Sequence, residues 1–169
     1  AKKMIEKLLD TSLYWGKHVI PSISRDNPNF TDQQYWRGSI WPPPNYLVYQ
    51  GLKRYRYDSI AAEFAEKSMQ MFMDNYRKNG GACNENFDSR TGTGHGQKYQ
   101  SWGPLFALIY LEEFIDYEPG GGLRIGSKGQ YGDTLRNICI NKDYYDIYCG
   151  NKTIAWKNGE KLFEATVPV

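Results

Sequence analysis

The chain has 169 residues, and its 21 basic and 19 acidic side chains leave a formal net charge of only +2. This balance, with no basic run longer than two residues, excludes the electrostatic footprint of a nucleic-acid-binding protein. No apolar stretch approaches the ~20 residues of a membrane span. We therefore expect a globular protein with neither nucleic acid nor membrane as a partner.

Helical periodicity predicts four or five helices in the first 117 residues. Prolines open the second of them, where their missing N–H groups cost little. Asp58-Ser59 is a candidate N-cap for the third, which Gly80-Gly81 ends. The fourth is apolar over most of its first ten residues, as expected of a helix buried on several sides. The predicted helices span about 1–9, 44–55, 58–77 and 101–117.

Strand-like segments replace helical periodicity after the run Pro119–Gly122. Asn158-Gly159, between two such segments, predicts a two-residue hairpin of the type I′ class. We therefore divide the chain into a helical part at 1–118 and a β-strand segment at 119–169. The predicted strands include the runs 135–140, 144–148 and 153–156.

The stretch Tyr35–Tyr46 places two indoles, two phenols, a guanidinium and a carboxamide within twelve residues. Aromatic faces can lie against the apolar C–H face of a sugar ring, and Arg and Asn bond neighbouring hydroxyls. The composition therefore predicts a carbohydrate site. The alternative is that Trp36 and Trp41 are core anchors and that Arg37 pairs with a buried carboxylate.

A second stretch, Asn84–Gly92, follows the third predicted helix and precedes a glycine-rich run. Its Glu85 is a candidate general base, because loops at one end of a helical scaffold converge on a shared cavity. The alternative is that Glu85 is a solvated or capping residue. Asp88 is the weaker candidate, because an Asp followed by Ser, Arg, Thr and Gly commonly bonds its own backbone.

Together, the runs at 35–52, 84–92 and 101–103 resemble glycoside hydrolase family 63 and, less closely, the trehalases of family 37 in the same clan. The resemblance implies hydrolysis of α-glycosidic bonds with inversion. It also implies a mainly α fold, namely part of an (α/α)₆ barrel with a small C-terminal antiparallel β segment. Glu85 falls at the position of the catalytic base. By the same matching, the sugar pocket is lined by Trp36, Arg37, Trp41, Asn45 and Trp102.

One feature of the family is not found. An inverting glycosidase needs a second carboxyl group, about 6.5–9.5 Å from the first, to protonate the leaving oxygen. In the family this acid is an Asp well before the Trp-Arg-Gly motif, and Asp10, Asp26 and Asp32 stand in ordinary contexts. A twelve-helix barrel also needs more than 169 residues. We therefore expect the C-terminal portion of a longer enzyme, inactive without its N-terminal part.

No cofactor and no metal site are predicted. His18 and His95 lie far apart with no acidic spacing to match, although His95 is a candidate to reach a ligand hydroxyl. The cysteines are odd in number and lack metal spacing, so reduced thiols are favoured over a disulfide between strands. The three are Cys83, Cys139 and Cys149.

The expected ligand is an oligosaccharide or other α-glycoside, but the sequence fixes neither the sugar nor the cellular compartment. A trehalase-like enzyme fragment and a non-catalytic carbohydrate-binding helical module are the alternatives. A helical-repeat solenoid is disfavoured, because no motif recurs at a fixed period of 20–50 residues.

Overall fold

The structure is a computed structural model that describes residues 1–32, 34–118 and 120–166. Within these residues the chain forms four α-helices and one 3₁₀-helix, Pro28–Asp32. The first three α-helices lie within a few residues of their predicted positions, whereas the fourth is shorter. The α-helices are α1 (Lys2–Leu8), α2 (Pro42–Arg54), α3 (Asp58–Lys78) and α4 (Leu105–Phe114).

The starts of two helices follow from their first residues. Pro42 to Pro44 form the first turn of α2, and the preceding Trp41 is extended. The predicted N-cap of α3 was wrong by one position. Tyr57 is the N-cap residue and makes no side-chain capping bond, whereas Asp58 lies inside the first turn. A carboxylate there interacts favourably with the positive end of the helix dipole.

Strands form three antiparallel sheets in the described part of the chain. Two are two-stranded and the third has four strands in sequential order. The pairs are β1 (Asn86–Phe87) with β2 (Gly94–His95), and β3 (Ile115–Tyr117) with β4 (Leu123–Ile125). The larger sheet contains β5 (Asp133–Ile140), β6 (Asp143–Cys149), β7 (Lys152–Lys157) and β8 (Glu160–Thr166).

The prediction of one helix from Ser101 to Tyr117 was wrong at both ends. Residues 101–104 form turns before α4, and Ile115 is extended, with φ −151° and ψ 130°. Ile115 pairs with Ile125 across the β3–β4 hairpin, so pairing with a later segment overrides the apolar helical pattern. With so much strand, the fold is mixed α and β rather than mainly α.

The predicted hairpin at Asn158-Gly159 is confirmed, since both residues have positive φ, 51° and 84°, as a type I′ turn requires. Alternate residues of β6, including Tyr145 and Ile147, are buried. This inner face of the four-stranded sheet packs against Phe114 at the end of α4. The sheet and the helices therefore share a hydrophobic cluster.

The larger core lies between α2, α3 and α4. It includes Tyr49, Phe64 and Ile109, all fully buried, and extends to Ile40 and Phe87 from the two motif-bearing segments. None of the helices in the described ranges is long and apolar enough to cross a membrane.

A buried polar cluster joins α2, α4 and the segment before β5. The Glu113 carboxylate accepts hydrogen bonds from Lys53 Nζ at 2.5 Å and from the Tyr49 hydroxyl at 2.7 Å. The Ser127 hydroxyl donates to the other carboxylate oxygen. Burial lowers the pKa of Lys53, and the neighbouring Glu113 opposes that effect. This cluster is one polar link between the helices and the β segment, and the Tyr110 hydroxyl forms another by donating to Asp133 Oδ2 at 2.6 Å.

Candidate active site

The two sequence motifs meet through their main chains. The Ile40 N–H donates to the Phe87 carbonyl at 2.7 Å, and the Phe87 N–H donates back to Ile40 at 2.9 Å. Both residues are fully buried, so these bonds satisfy main-chain groups that water does not reach. Trp41 and Asn86, their chain neighbours, are thereby brought alongside each other, and both are buried.

An aromatic cluster surrounds Trp41, whose side chain is only 1% exposed. The Trp36 ring stacks on it at 4.1 Å between centroids and 12° between planes. Tyr35 meets it edge-on at 4.8 Å, and Trp102 lies at 6.5 Å. Trp36 is 47% exposed, so the core-anchor alternative describes Trp41 but not Trp36. The half-exposed Trp36 indole is therefore stacked by one face on the buried Trp41 indole.

Glu85 is half-buried beside this cluster and is held from three directions. Its carboxylate Oε2 accepts the Gln97 N–H at 3.0 Å, and its own N–H donates to the Gln97 carbonyl at 3.0 Å. The Trp102 indole N–H donates to the Glu85 carbonyl oxygen at 3.0 Å. One oxygen of the carboxylate is therefore fixed by the backbone, as a positioned base requires.

Glycine is required at position 96. Gly96 has φ +71°, and a Cβ atom there would lie 2.5 Å from Glu85 Oε2. Gly94 is equally close-packed, because its Cβ would lie 2.3 Å from atoms of the Asn84 side chain. The glycine-rich run is thus the surface against which the candidate base is placed.

Asn45 is bound differently from what a sugar-gripping residue needs. Its Oδ1 accepts the Ile20 N–H at 3.0 Å, and its Nδ2 donates to the carbonyls of Ile20 and Trp41 at 3.1 and 2.8 Å. The residue is 2% exposed. Both amide protons are thus used by the main chain, and Asn45 ties the segment around Ile20 to the start of α2.

Arg37 is exposed at the edge of the aromatic loop. Its Nη2 donates to Gln34 Oε1 at 2.9 Å, and its main-chain N–H donates to the Gln34 carbonyl. The neighbouring Gly38 N–H donates to Ser22 Oγ at 3.1 Å, which anchors the loop. The guanidinium therefore stands at the rim of the site rather than in the core.

Asp88 has the turn role expected of it. Its Oδ1 accepts the N–H groups of Arg90 and Thr91 at 2.8 and 3.0 Å. Burial opposes its ionisation, but these bonds prevail and hold the pKa of Asp88 below its ordinary value.

His18 is buried nearby, and burial lowers the pKa of its imidazole. His95 is exposed on β2, directly opposite Asn86.

Sequence reasoning missed Asn75, which fixes the glycine-rich run from α3. Its Nδ2 donates to the Gly92 carbonyl and its Oδ1 accepts the Gly94 N–H, both at 2.6 Å. The sequence did indicate such a role, because Asn75 lies four residues after Met71, on the apolar face of α3. A polar residue on such a face needs internal partners.

Neither a metal site nor a disulfide occurs in the part of the chain that the structure describes. No group of three or more potential metal ligands is found there, and the three cysteines are free thiols. Cys149 is buried and Cys139 exposed, so the two lie on opposite faces of the sheet.

A protein-family model described as the mannosylglycerate hydrolase MGH1-like glycoside hydrolase domain matches residues 1–103. Catalytic domains of this class are hydrolases of glycosidic bonds. The chain belongs to this family, within glycoside hydrolase family 63, as the motifs indicated.

Relatives support the same assignment. The mannosylglycerate hydrolase of Thermus thermophilus is 30% identical over 100 residues, which are 57% of this chain and 22% of the relative. Mannosylglycerate hydrolase MGH1 of Selaginella moellendorffii is 36% identical over 92 residues, which are 54% of this chain and 18% of the relative. The mannosyl-oligosaccharide glucosidase GCS1 of Arabidopsis thaliana is 25% identical over 67% of this chain and 15% of its own length. The chain spans less than a quarter of the length of these relatives.

A solved structure also matches. The family 63 mannosylglycerate hydrolase from Thermus thermophilus in complex with glucose superposes with a TM-score of 0.52 at 24% identity. The match covers 65% of this chain and 25% of that one. At this identity the likeness establishes a shared fold for the matched part.

Proposed function

We propose that the chain forms one side of the active site of an inverting α-glycosidase, with Glu85 as the general base. The main-chain bridge between Ile40 and Phe87 carries the proposal, because it holds the aromatic loop against the Glu85 loop. Trp102 supports it by joining the aromatic cluster to the Glu85 carbonyl. In this proposal α2 to α4 are part of an (α/α)₆ barrel.

The proposed chemistry is a single displacement. Glu85 takes a proton from water as the water oxygen bonds to the anomeric carbon, and the bond to the leaving oxygen breaks. That oxygen takes its proton from a general acid, which we assign to another part of the same enzyme. Family relatives share at most a quarter of their length with this chain, which is consistent with that assignment.

The side chains around Glu85 receive distinct roles. Trp36 offers its exposed face to the sugar ring, and Trp41 and Trp102 support it and exclude water. Arg37 donates to hydroxyls at the rim, where bonds that tighten in the transition state lower the barrier. Asn45 acts as a positioning residue, since its amide protons hold the main chain around the pocket.

The substrate favoured by the comparisons is an α-glycoside of the mannosylglycerate type, because the matching family model and four relatives carry that name. α-Glucosides are the second candidate, favoured by the two glucosidases of Arabidopsis thaliana among the relatives.

The test is hydrolysis followed by proton NMR, using protein expressed from the complete reading frame. Mannosylglycerate and an α-glucoside are supplied separately, and the anomeric signals are recorded before mutarotation. Release of the β-anomer first is expected, because a single displacement inverts the anomeric carbon. Release of the α-anomer first would reject the proposal of an inverting glycosidase. Sugar binding without any hydrolysis would also reject it, and would favour a non-catalytic binding module.

Gly96→Ala should lower kcat by about 100-fold in the same protein, because the new methyl group pushes the Glu85 carboxylate away from its attacking water. Gly132→Ala is the matched control, since Gly132 has the same φ of +71° with nothing within 4 Å of its Cβ position. Both variants carry the same backbone strain, and Gly96→Ala should lose more thermal stability because it adds the clash with Glu85. An equal loss of kcat in both would show that backbone strain, rather than displacement of Glu85, is responsible.

A further inference from the structure

The four-stranded sheet has a second face, pointing away from the helices. Strand alternation places Tyr148 of β6 and Trp156 of β7 on this outer face, because Ile147 and Ala155 beside them are buried on the inner face. Tyr148 pairs directly with Ile154, and Trp156 pairs with Asp146. Tyr148 and Trp156 therefore lie diagonally across two neighbouring strands of the outer face, two residues apart along the strand direction.

These residues line a groove of about 570 Å³, within the size range of small-molecule sites. Tyr148, Ile154 and Trp156 contribute its apolar surface. The polar residues along it include Arg136, Asp146 and Asn151. The groove shares no residue with the Glu85 site, and it lies outside residues 1–103, where the family model matches.

Charges along the groove are nearly balanced. The charged lining residues are Arg136, Lys152 and Asp146, and Lys152 is paired with Glu164 at 2.6 Å between Nζ and Oε1. A phosphate or nucleic-acid ligand needs a clear excess of positive charge, which the groove does not supply. A neutral ligand that presents both donors and acceptors fits this lining, as the hydroxyls of a sugar do.

Two polar side chains of the groove are held in place before any ligand binds. Asp146 Oδ1 accepts the Asn137 N–H at 2.7 Å, at the irregularity in β5, and Lys152 is fixed by its ion pair. Fixed side chains lose little conformational entropy on binding, which favours ligand binding at this groove.

We propose that this groove is a second, non-catalytic carbohydrate site that binds a neutral α-linked oligosaccharide. The choice of a sugar ligand rests on the proposed function, since the chain belongs to a glycosidase family. Trp156 and Tyr148 contact the C–H faces of the sugar rings, and Arg136, Asp146 and Asn151 bond to their hydroxyls. The site holds an oligosaccharide on the enzyme without cleaving it.

The experiment is an NMR titration of the protein from the complete reading frame with maltoheptaose, following the indole N–H signals, of which this chain contributes five. Assignment by single Trp→Phe variants separates the signal of Trp156 from those of Trp36, Trp41 and Trp102. A saturable shift of the Trp156 signal is expected.

Arg136→Ala should weaken that binding about tenfold, which corresponds to the loss of one good contact. The fold should not change, because Arg136 is exposed. Lys142→Ala, which removes an exposed cation from the turn between β5 and β6, outside the groove, should leave the binding unchanged.

The outcomes separate this inference from the proposed function. Shifts confined to Trp36, Trp41 and Trp102 would overturn the second site and leave the proposed active site standing. No shift at any indole would also overturn it, as would equal weakening by Arg136→Ala and Lys142→Ala. A Trp156 shift that appears on raising protein concentration without sugar would assign the groove to self-association instead.

Discussion

Lys53→Met should lower the free energy of unfolding by about 3–5 kcal/mol, the usual cost of breaking a buried ion pair. Lys53 and Glu113 are 7% and 1% exposed, and the bond between them is 2.5 Å long. Without Lys53, the Glu113 carboxylate keeps hydroxyl donors from Tyr49 and Ser127 but loses its counter-charge. A chain of this size loses about 2–4 °C in Tm for each kcal/mol, so a fall of roughly 6–20 °C is expected.

Urea unfolding followed by circular dichroism measures this effect. Lys152→Met is the matched control, because it removes an ion pair of similar length that lies at the surface and is screened by water. It should leave the free energy of unfolding almost unchanged. The double variant Lys53→Met, Glu113→Met should recover much of the loss, since no unpaired charge is left buried. A strictly additive double variant would contradict this account.

The local chemistry of the chain made much of the structure predictable. Asn158-Gly159 has one favoured turn type, and within a helix Pro42 to Pro44 fit only the first turn. The same holds for the motifs, whose residue types and order indicated the family from the sequence alone. These features depend on neighbours in sequence, which a pattern records directly.

Contacts between distant segments were less predictable. Ile115 continues an apolar helical pattern, yet it leaves α4 because Ile125 offers it a strand partner. A helical pattern cannot show this, since the deciding partner lies ten residues further on and forms no helical contact.

Asn45 illustrates the same limit at the candidate site. Its position in the aromatic motif suggested a contact with sugar, whereas its amide bonds to the main chain of Ile20, 25 residues earlier. The segment around Ile20 has no regular periodicity that predicts this contact. Residue type therefore predicted that Asn45 belongs to the site, and only the fold could distinguish holding the pocket from touching the ligand.

Glu85→Gln should lower kcat by about 10²–10⁴-fold in the protein from the complete reading frame, because an amide cannot accept the proton of the attacking water. Gln has nearly the same shape and keeps an oxygen for the Gln97 N–H, so KM and thermal stability should change little. Steady-state kinetics and a thermal melt of the same preparation measure both effects. Asp88→Asn is the matched comparison, because Asp88 is the other carboxylate of the motif and its Oδ1 acceptor is retained.

Azide separates a catalytic role from a structural one. It attacks the anomeric carbon without first losing a proton, so it should restore turnover to Glu85→Gln and yield a glycosyl azide of inverted configuration. A variant that had merely lost its structure would not respond. Asp88→Asn should keep most of its activity and gain nothing from azide, because Asp88 bonds its own turn. Normal hydrolysis by Glu85→Gln, or azide rescue of Asp88→Asn instead, would move the general base from Glu85 to another carboxylate.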